Sequence, residues 1–207
     1  MKAQFLPYSD ENPTESTSFV TYGLIVANIV VFVWSLFDME NVLYTWGFIP
    51  AAFAPITIVT SMFLHGGIEH IVFNMWFLFL FGDNIEDKFG HAHYLGFYIL
   101  AGLFAAIIHF LTNPASAIPT IGASGAVSGI LGAYIALFPR VRVKAIGFYM
   151  SMNVSALWII GSWFVLQLFS GFVSLISGVS GGIAFWAHIG GFVFGYGYTR
   201  ILKVGTS

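Results

Sequence analysis

Long apolar runs, separated by a few charges gathered into clusters, limit what this chain can fold into more than any other feature of it. Phe19–Phe37 holds nineteen residues without an Asp, Glu, Lys or Arg. As a helix at ~1.5 Å per residue that run is long enough for one crossing of a hydrocarbon core roughly 30 Å thick. Comparable runs follow at Gly67–Gly82, Tyr94–Leu111 and Ser124–Phe138, within Ala145–Phe169, and at Ile183–Thr199. Together they predict six membrane helices.

Composition agrees with that reading. Lys and Arg number 7 and Asp and Glu 9 among 207 residues, about a third of the charge of an ordinary soluble domain. Phe and Gly occur 23 times each, a pairing that suits helices facing lipid on one side and packing closely on the other. With no Cys, disulfides, thiol nucleophiles and thiolate metal sites are excluded. The leader carries Asp10, Glu11 and Glu15 against Lys2, unlike an Arg-rich, acid-poor transit peptide.

The cations test the six-span reading, because Lys and Arg favour cytoplasmic loops. Lys2 precedes the first run, Lys88 lies between the second and third, Arg140, Arg142 and Lys144 between the fourth and fifth, and Arg200 and Lys203 at the end. All seven fall on one side. The expectation is an all-α membrane protein with both termini cytoplasmic: a polar leader at 1–18, one six-helix domain at 19–202 and a short tail at 203–207. Loops at 38–66, 112–123 and 170–182 would then be exterior. The first of these is apolar but broken by Pro50 and Pro55, so it is expected as an interfacial segment rather than one continuous helix.

Polar side chains within membrane helices are costly and mark pathways or sites. Counted from the inner charges at ~1.5 Å per residue, Ser124 stands ~24 Å up, His70 ~20 Å, His188 ~18 Å and Asn74 ~14 Å. The fourth run is short, which sinks Ser124 into a recess open to the exterior. Small residues at Gly125, Ser128, Gly129 and Gly132 match others at Ala187, Gly191 and Gly195, and such spacing lets two helices approach closely. That approach would bring Ser124 to His188. A serine becomes a nucleophile when an imidazole takes its proton, and the oxyanion then formed needs donors. The Ser124 N–H, His70 and Asn74 are the candidates. Taken singly, each has a simpler role: a helix cap for Ser124, an interhelical pair for His70 and Asn74, a satisfied buried histidine for His188. Their conjunction favours a Ser/His dyad, with Ser124 both capping its helix and attacking. His65 is expected to sit at the interface or to order a loop.

Other chemistries find little support. HGGIEH is not HExxH, so no metal is expected; Gly122, Gly125 and Gly129 lack the GK[ST] of a phosphate loop, and no cofactor is implied. Seven cations at membrane edges do not suggest nucleic acid.

The motifs HGGIEHIVFNM, with His65, His70 and Asn74, GASGAVSG, with Ser124, and AHIGGFVFG, with His188, appear in this order in the second, fourth and sixth runs. In these the chain resembles the rhomboid intramembrane serine proteases over Phe19 to about Leu202. The resemblance implies Ser124 as nucleophile, His188 as general base and then acid, and His70, Asn74 and the Ser124 N–H as oxyanion hole. It implies single-span membrane proteins within the lipid bilayer as substrates, cut near the outer end of their membrane segment where the helix unwinds. It also makes the fifth span a gate against the second, with Trp163 and Phe164 as candidate gate residues, and Ser170–Gly182 a cap. The expected location is the plasma membrane of a prokaryote, with the active site opening outward. Three positions depart from the family pattern: the first loop lacks a Trp-Arg pair, Lys88 replaces an Arg after the Glu closing the second span, and Ser128 stands where a Tyr often stacks on the catalytic imidazole. The alternatives are a rhomboid-like protein that binds membrane helices without cutting them, disfavoured because Ser124 and His188 are both present, and a small transporter, disfavoured because no inverted repeat is evident.

Overall fold

The computed structural model describes residues 6–147, 150–177 and 182–202. Lys2, Lys203, residues 178–181 of the expected cap and the expected tail at 203–207 lie outside the described residues. The apolar runs fold as helices: α1 (Phe19–Ser35), α4 (Ile68–Phe89), α5 (His91–Thr112), α6 (Ser124–Leu137), α7 (Ala156–Ser177) and α8 (Phe185–Leu202). Between α1 and α4 lie two short helices, α2 (Met39–Trp46) and α3 (Pro55–Thr60). Pro50 opens a 3-10 turn and Pro55 opens α3, positions where a missing N–H costs nothing, so this segment is broken as expected. Among the described residues, α5 and α7 are each long and apolar enough to cross a bilayer, and Pro55–Phe63 with Ile68–Phe89, bent by 87°, make a third such stretch.

The all-α expectation needs correction. Three strands, β1 (Leu6–Asp10), β2 (Arg142–Gly147) and β3 (Met150–Ser155), form an antiparallel sheet in the order β1-β2-β3. Pro7 pairs with Ala145 and Asp10 with Val143, across a register shift between Pro7 and Ser9. Val143 and Ala145 are fully buried while Ile146 is exposed, an alternation of period two that high overall hydropathy conceals. The fifth apolar run therefore holds the end of a hairpin before α7, which starts at Ala156 rather than near Ala145. It also runs on to Ser177, so the first part of the expected cap is helix.

The second run extends past its charges, because the charges have partners. Glu86 is fully buried and accepts the Val20 and Thr21 N–H groups at 2.9 and 2.7 Å. It thereby satisfies donors that the start of α1 leaves open. Asp87 accepts the Ser16 N–H and hydroxyl at 2.9 and 2.6 Å. The helix thus continues to Phe89 and turns at Gly90, whose φ of 76° favours glycine.

Every residue of α6 from Gly125 to Ala136 is buried. Its stripe of small residues is what allows this. A Cβ on Gly191 would collide with the Gly125 carbonyl oxygen, one on Gly195 with that of Gly129, and one on Gly132 with that of Phe192. Across its other side, a Cβ on Gly125 would meet Ala105 and one on Gly129 would meet Ala101. The backbones of α6 and α8 touch without side chains between them, which fixes their separation and relative height. In contrast, α7 buries only Ala156, Ile160 and Gly171.

Candidate active site

Ser124 is the first residue of α6, and Ala123 occupies the cap position without a side-chain bond. The expected capping role of Ser124 is therefore not what the hydroxyl does. Its Oγ instead lies 2.8 Å from His188 Nε2. His188 is near the start of α8, and the glycine contact between α6 and α8 sets the two side chains at matching heights. The opposite ring nitrogen, Nδ1, lies 3.0 Å from Oε1 of Gln167 on α7. The Trp163 ring stands beside the same imidazole, 6.1 Å between centroids.

The turn preceding Ser124 is held from below and beside. Phe48 and Thr120 exchange backbone bonds of 3.1 and 2.7 Å, and the Gly122 N–H donates to the Ser61 carbonyl at 2.9 Å. The Thr120 hydroxyl lies 2.8 Å from His109 Nε2. Gly122 has φ of 115°, a region that side chains rarely adopt. A Cβ placed there would stand 2.7 Å from His70 Nε2 and 3.7 Å from Ser124 Oγ. Glycine thus leaves open the space between the hydroxyl and the His70 ring.

His70 and Asn74 share one face of α4. The Gly66 N–H points at His70 Nδ1 from 3.4 Å, which leaves the proton of a neutral imidazole on Nε2, the nitrogen facing Gly122. Asn74 is buried and its amide donates to the His70 carbonyl at 2.8 Å, leaving a second amide hydrogen. His65 packs edge-on against His70, with centroids 5.0 Å apart. Neither His65 ring nitrogen has a hydrogen-bond partner among the described residues. The backbone N–H groups at the head of α6 have no acceptor within the helix. A small cavity of about 30 Å³ adjoins Ser124, walled by Ser61, Met62, Ala105, Gly122, Gly125 and Ala187.

Of the residues picked out by sequence, the arrangement brings together Ser124, His188 and His70, with Asn74 one turn along α4 from His70. Trp163 and Phe164, expected as a gate against the second span, lie on the face of α7 turned to α8: Phe164 stacks on Phe192 at 4.1 Å, and Trp163 stands 6.4 Å from the same ring. Sequence reasoning missed Gln167 and the role of Gly122. Gln167 stands four positions after Trp163 in a helix whose other polar side chains are serines, a spacing that puts both on one face. Among the described residues, no group of three or more His, Asp or Glu is placed to hold a metal ion.

A profile of the Rhomboid domain matches residues 52–204. The chain is 28% identical over 149 residues to RHOMBOID-like protein 5 of Arabidopsis thaliana, covering 70% of this chain and 44% of that protein. It is 32% identical over 142 residues to Rhomboid protease GluP of Bacillus subtilis, covering 67% and 24%. To Rhomboid protein 1, mitochondrial, of Saccharomyces cerevisiae it is 29% identical over 150 residues, covering 66% and 43%. The matched stretch spans less than half the length of each of these relatives. They come from a plant, a bacterium and a yeast mitochondrion, and do not assign the chain to one membrane.

Proposed function

Because this chain belongs to the rhomboid family, an integral membrane family, we propose that it is an intramembrane serine endopeptidase acting through a Ser124/His188 dyad. The observation that carries the reading is the 2.8 Å approach of Ser124 Oγ to His188 Nε2, made where two helices meet by glycine contact. His188 Nε2 takes the hydroxyl proton as Oγ attacks the substrate carbonyl carbon. The resulting oxyanion is met by the Ser124 N–H, His70 Nε2–H and the Asn74 amide, with Asn74 swinging from the His70 carbonyl. His188 then returns the proton to the leaving amine, and water hydrolyses the acyl-enzyme by the same route.

The substrates are single-span membrane proteins within the bilayer. A helical amide is shielded by its own hydrogen bonds, so the cut bond lies where the substrate helix unwinds. The cavity walled by Ala105, Gly122 and Gly125 suits a small residue beside that bond. In this reading α1, α4, α5, α6, α7 and α8 are the six spans, both termini face the cytoplasm, and the site opens to the opposite side. α7 is the gate, with Trp163 and Phe164 the residues that part from Phe192.

The test is cleavage of a model single-span substrate in liposomes by wild type, Ser124→Ala and His188→Ala, together with fluorophosphonate labelling. Wild type is expected to cut and to be labelled, and both variants to lose cutting by at least about a thousandfold. A wild type that is neither labelled nor active would instead identify a rhomboid-like protein that binds membrane helices without hydrolysing them.

A further inference from the structure

A Ser/His dyad has an unmet requirement. For Nε2 to accept the Ser124 proton, the proton of the neutral imidazole must reside on Nδ1, and Nδ1–H needs an acceptor that also fixes the plane of the ring. In water-soluble serine proteases a carboxylate fills this place. Here no Asp or Glu contacts His188 among the described residues, and the position one turn after the nucleophile is Ser128, whose hydroxyl donates to the Ser124 carbonyl at 2.6 Å. It therefore neither stacks on the ring nor bonds it.

The group that does reach Nδ1 is Gln167, with Oε1 at 3.0 Å. It is half-buried on α7, one turn beyond Trp163, whose ring flanks the same imidazole. Because residues four apart share a helix face, one face of α7 presents both an acceptor and an aromatic wall to His188. Resting on the Ser/His reading above, we infer that Gln167 is a positioning residue for the proposed base, holding His188 as the Nδ1–H tautomer with Nε2 bare toward Ser124, so that the working unit is Ser124–His188–Gln167. A neutral amide fits this place in a membrane, where a third ionised group would be costly to bury. The unit is also divided between elements: Ser124 on α6, His188 on α8, Gln167 on α7, the helix with the fewest buried residues of the three. The dyad is consequently set for proton transfer only while that face of α7 lies against α8.

The experiment compares wild type with Gln167→Leu, which removes the acceptor, and Gln167→Glu, which keeps an acceptor oxygen at the same reach. Initial rates of single-span substrate cleavage and of fluorophosphonate labelling are measured, with Ser124→Ala as blank. Gln167→Leu is expected to lower kcat by roughly 10- to 100-fold with KM within about twofold, and to slow labelling in parallel. Gln167→Glu is expected to recover most of that loss. In wild type labelled with ¹⁵N-histidine, the His188 signals should report a protonated Nδ1 and an unprotonated Nε2, and this reading needs no variant to fold. The inference is overturned if the His188 proton lies on Nε2 in wild type, if Gln167→Leu cuts at the wild-type rate, or if both variants change KM alone. A wild type that Ser124→Ala matches in both assays would remove the Ser/His reading itself, a result distinct from each of these.

Discussion

At Gly122 the requirement on a single residue is double. Its φ of 115° disfavours any side chain, and the place a Cβ would take is 2.7 Å from His70 Nε2. Gly122→Ala is expected to lower stability by about 1–3 kcal/mol and turnover by roughly a hundredfold or more, since it intrudes where the oxyanion would meet its donor. Thermal unfolding in detergent and cleavage rate measure the two separately. A second residue to probe is Asp10, at the end of β1, which accepts the Tyr134 hydroxyl. Burial lifts its carboxyl above the ordinary 3.8, against the lowering effect of that hydroxyl. A folded-state value above the unfolded one favours the protonated form in the folded state. The contribution to stability is then fully present below 3.8 and is lost as pH rises through the raised value. Tm of wild type should fall relative to Asp10→Asn across that window and run parallel outside it. Ser124, His188 and His70, which the fold brings close, stood out in sequence as polar groups in apolar runs. Gln167 stood out less: its spacing from Trp163 puts both on one face of α7, but its contact with His188 joins two helices, which no spacing within one of them encodes.

Helix α7 is the element in which sequence and structure part most clearly. Its apolar run was visible, but its start was not, because the residues from Ala145 onward read as apolar whether they form a strand or a helix. What distinguishes the strand is the alternation of Val143 and Ala145 with their neighbours. Similarly, α4 outlasts its predicted end at Gly82 because Glu86 and Asp87 are claimed by the start of α1 and the segment before it. A charge cluster marks a helix end only when water is its best partner. For the gate, the contact to control is Phe164 on Phe192. The chain has no Cys, so Phe164→Cys with Phe192→Cys supplies the only thiols for a short bismaleimide. Cross-linking should slow cleavage of a membrane substrate by at least about tenfold while leaving fluorophosphonate labelling within about twofold, since a small reagent needs no lateral opening. Equal labelling and equal cleavage would exclude α7 as the moving element.

On the scale of the molecule, the grouping of cations predicts one orientation. In the proposed topology Lys88, Arg140, Arg142 and Lys144 face the cytoplasm and Ser116 the opposite side. In the Cys-free background, Ser116→Cys should react with an impermeant maleimide on intact cells, and Lys88→Cys only after permeabilisation. The reverse pattern would invert the proposed topology. Most of the helices could be read from apolar runs, and the contact of α6 with α8 from stripes of small residues. The sheet could not, because it joins residues 6–10 to 142–155, and long-range strand pairing leaves little trace in either segment alone. That sheet gives the leader a protective task. As one of the two outer strands, β1 is poorly suited to recruit another chain: Pro7 lacks an N–H, and the pairing slips between Pro7 and Ser9. Strand β2 behind it is regular, paired residue for residue with β3 from Arg142 to Gly147. Proteolysis or a genetic trim that removed β1 would bare this ordered rim, and copies of the protein lying in one membrane would gain a template for zipping together along it.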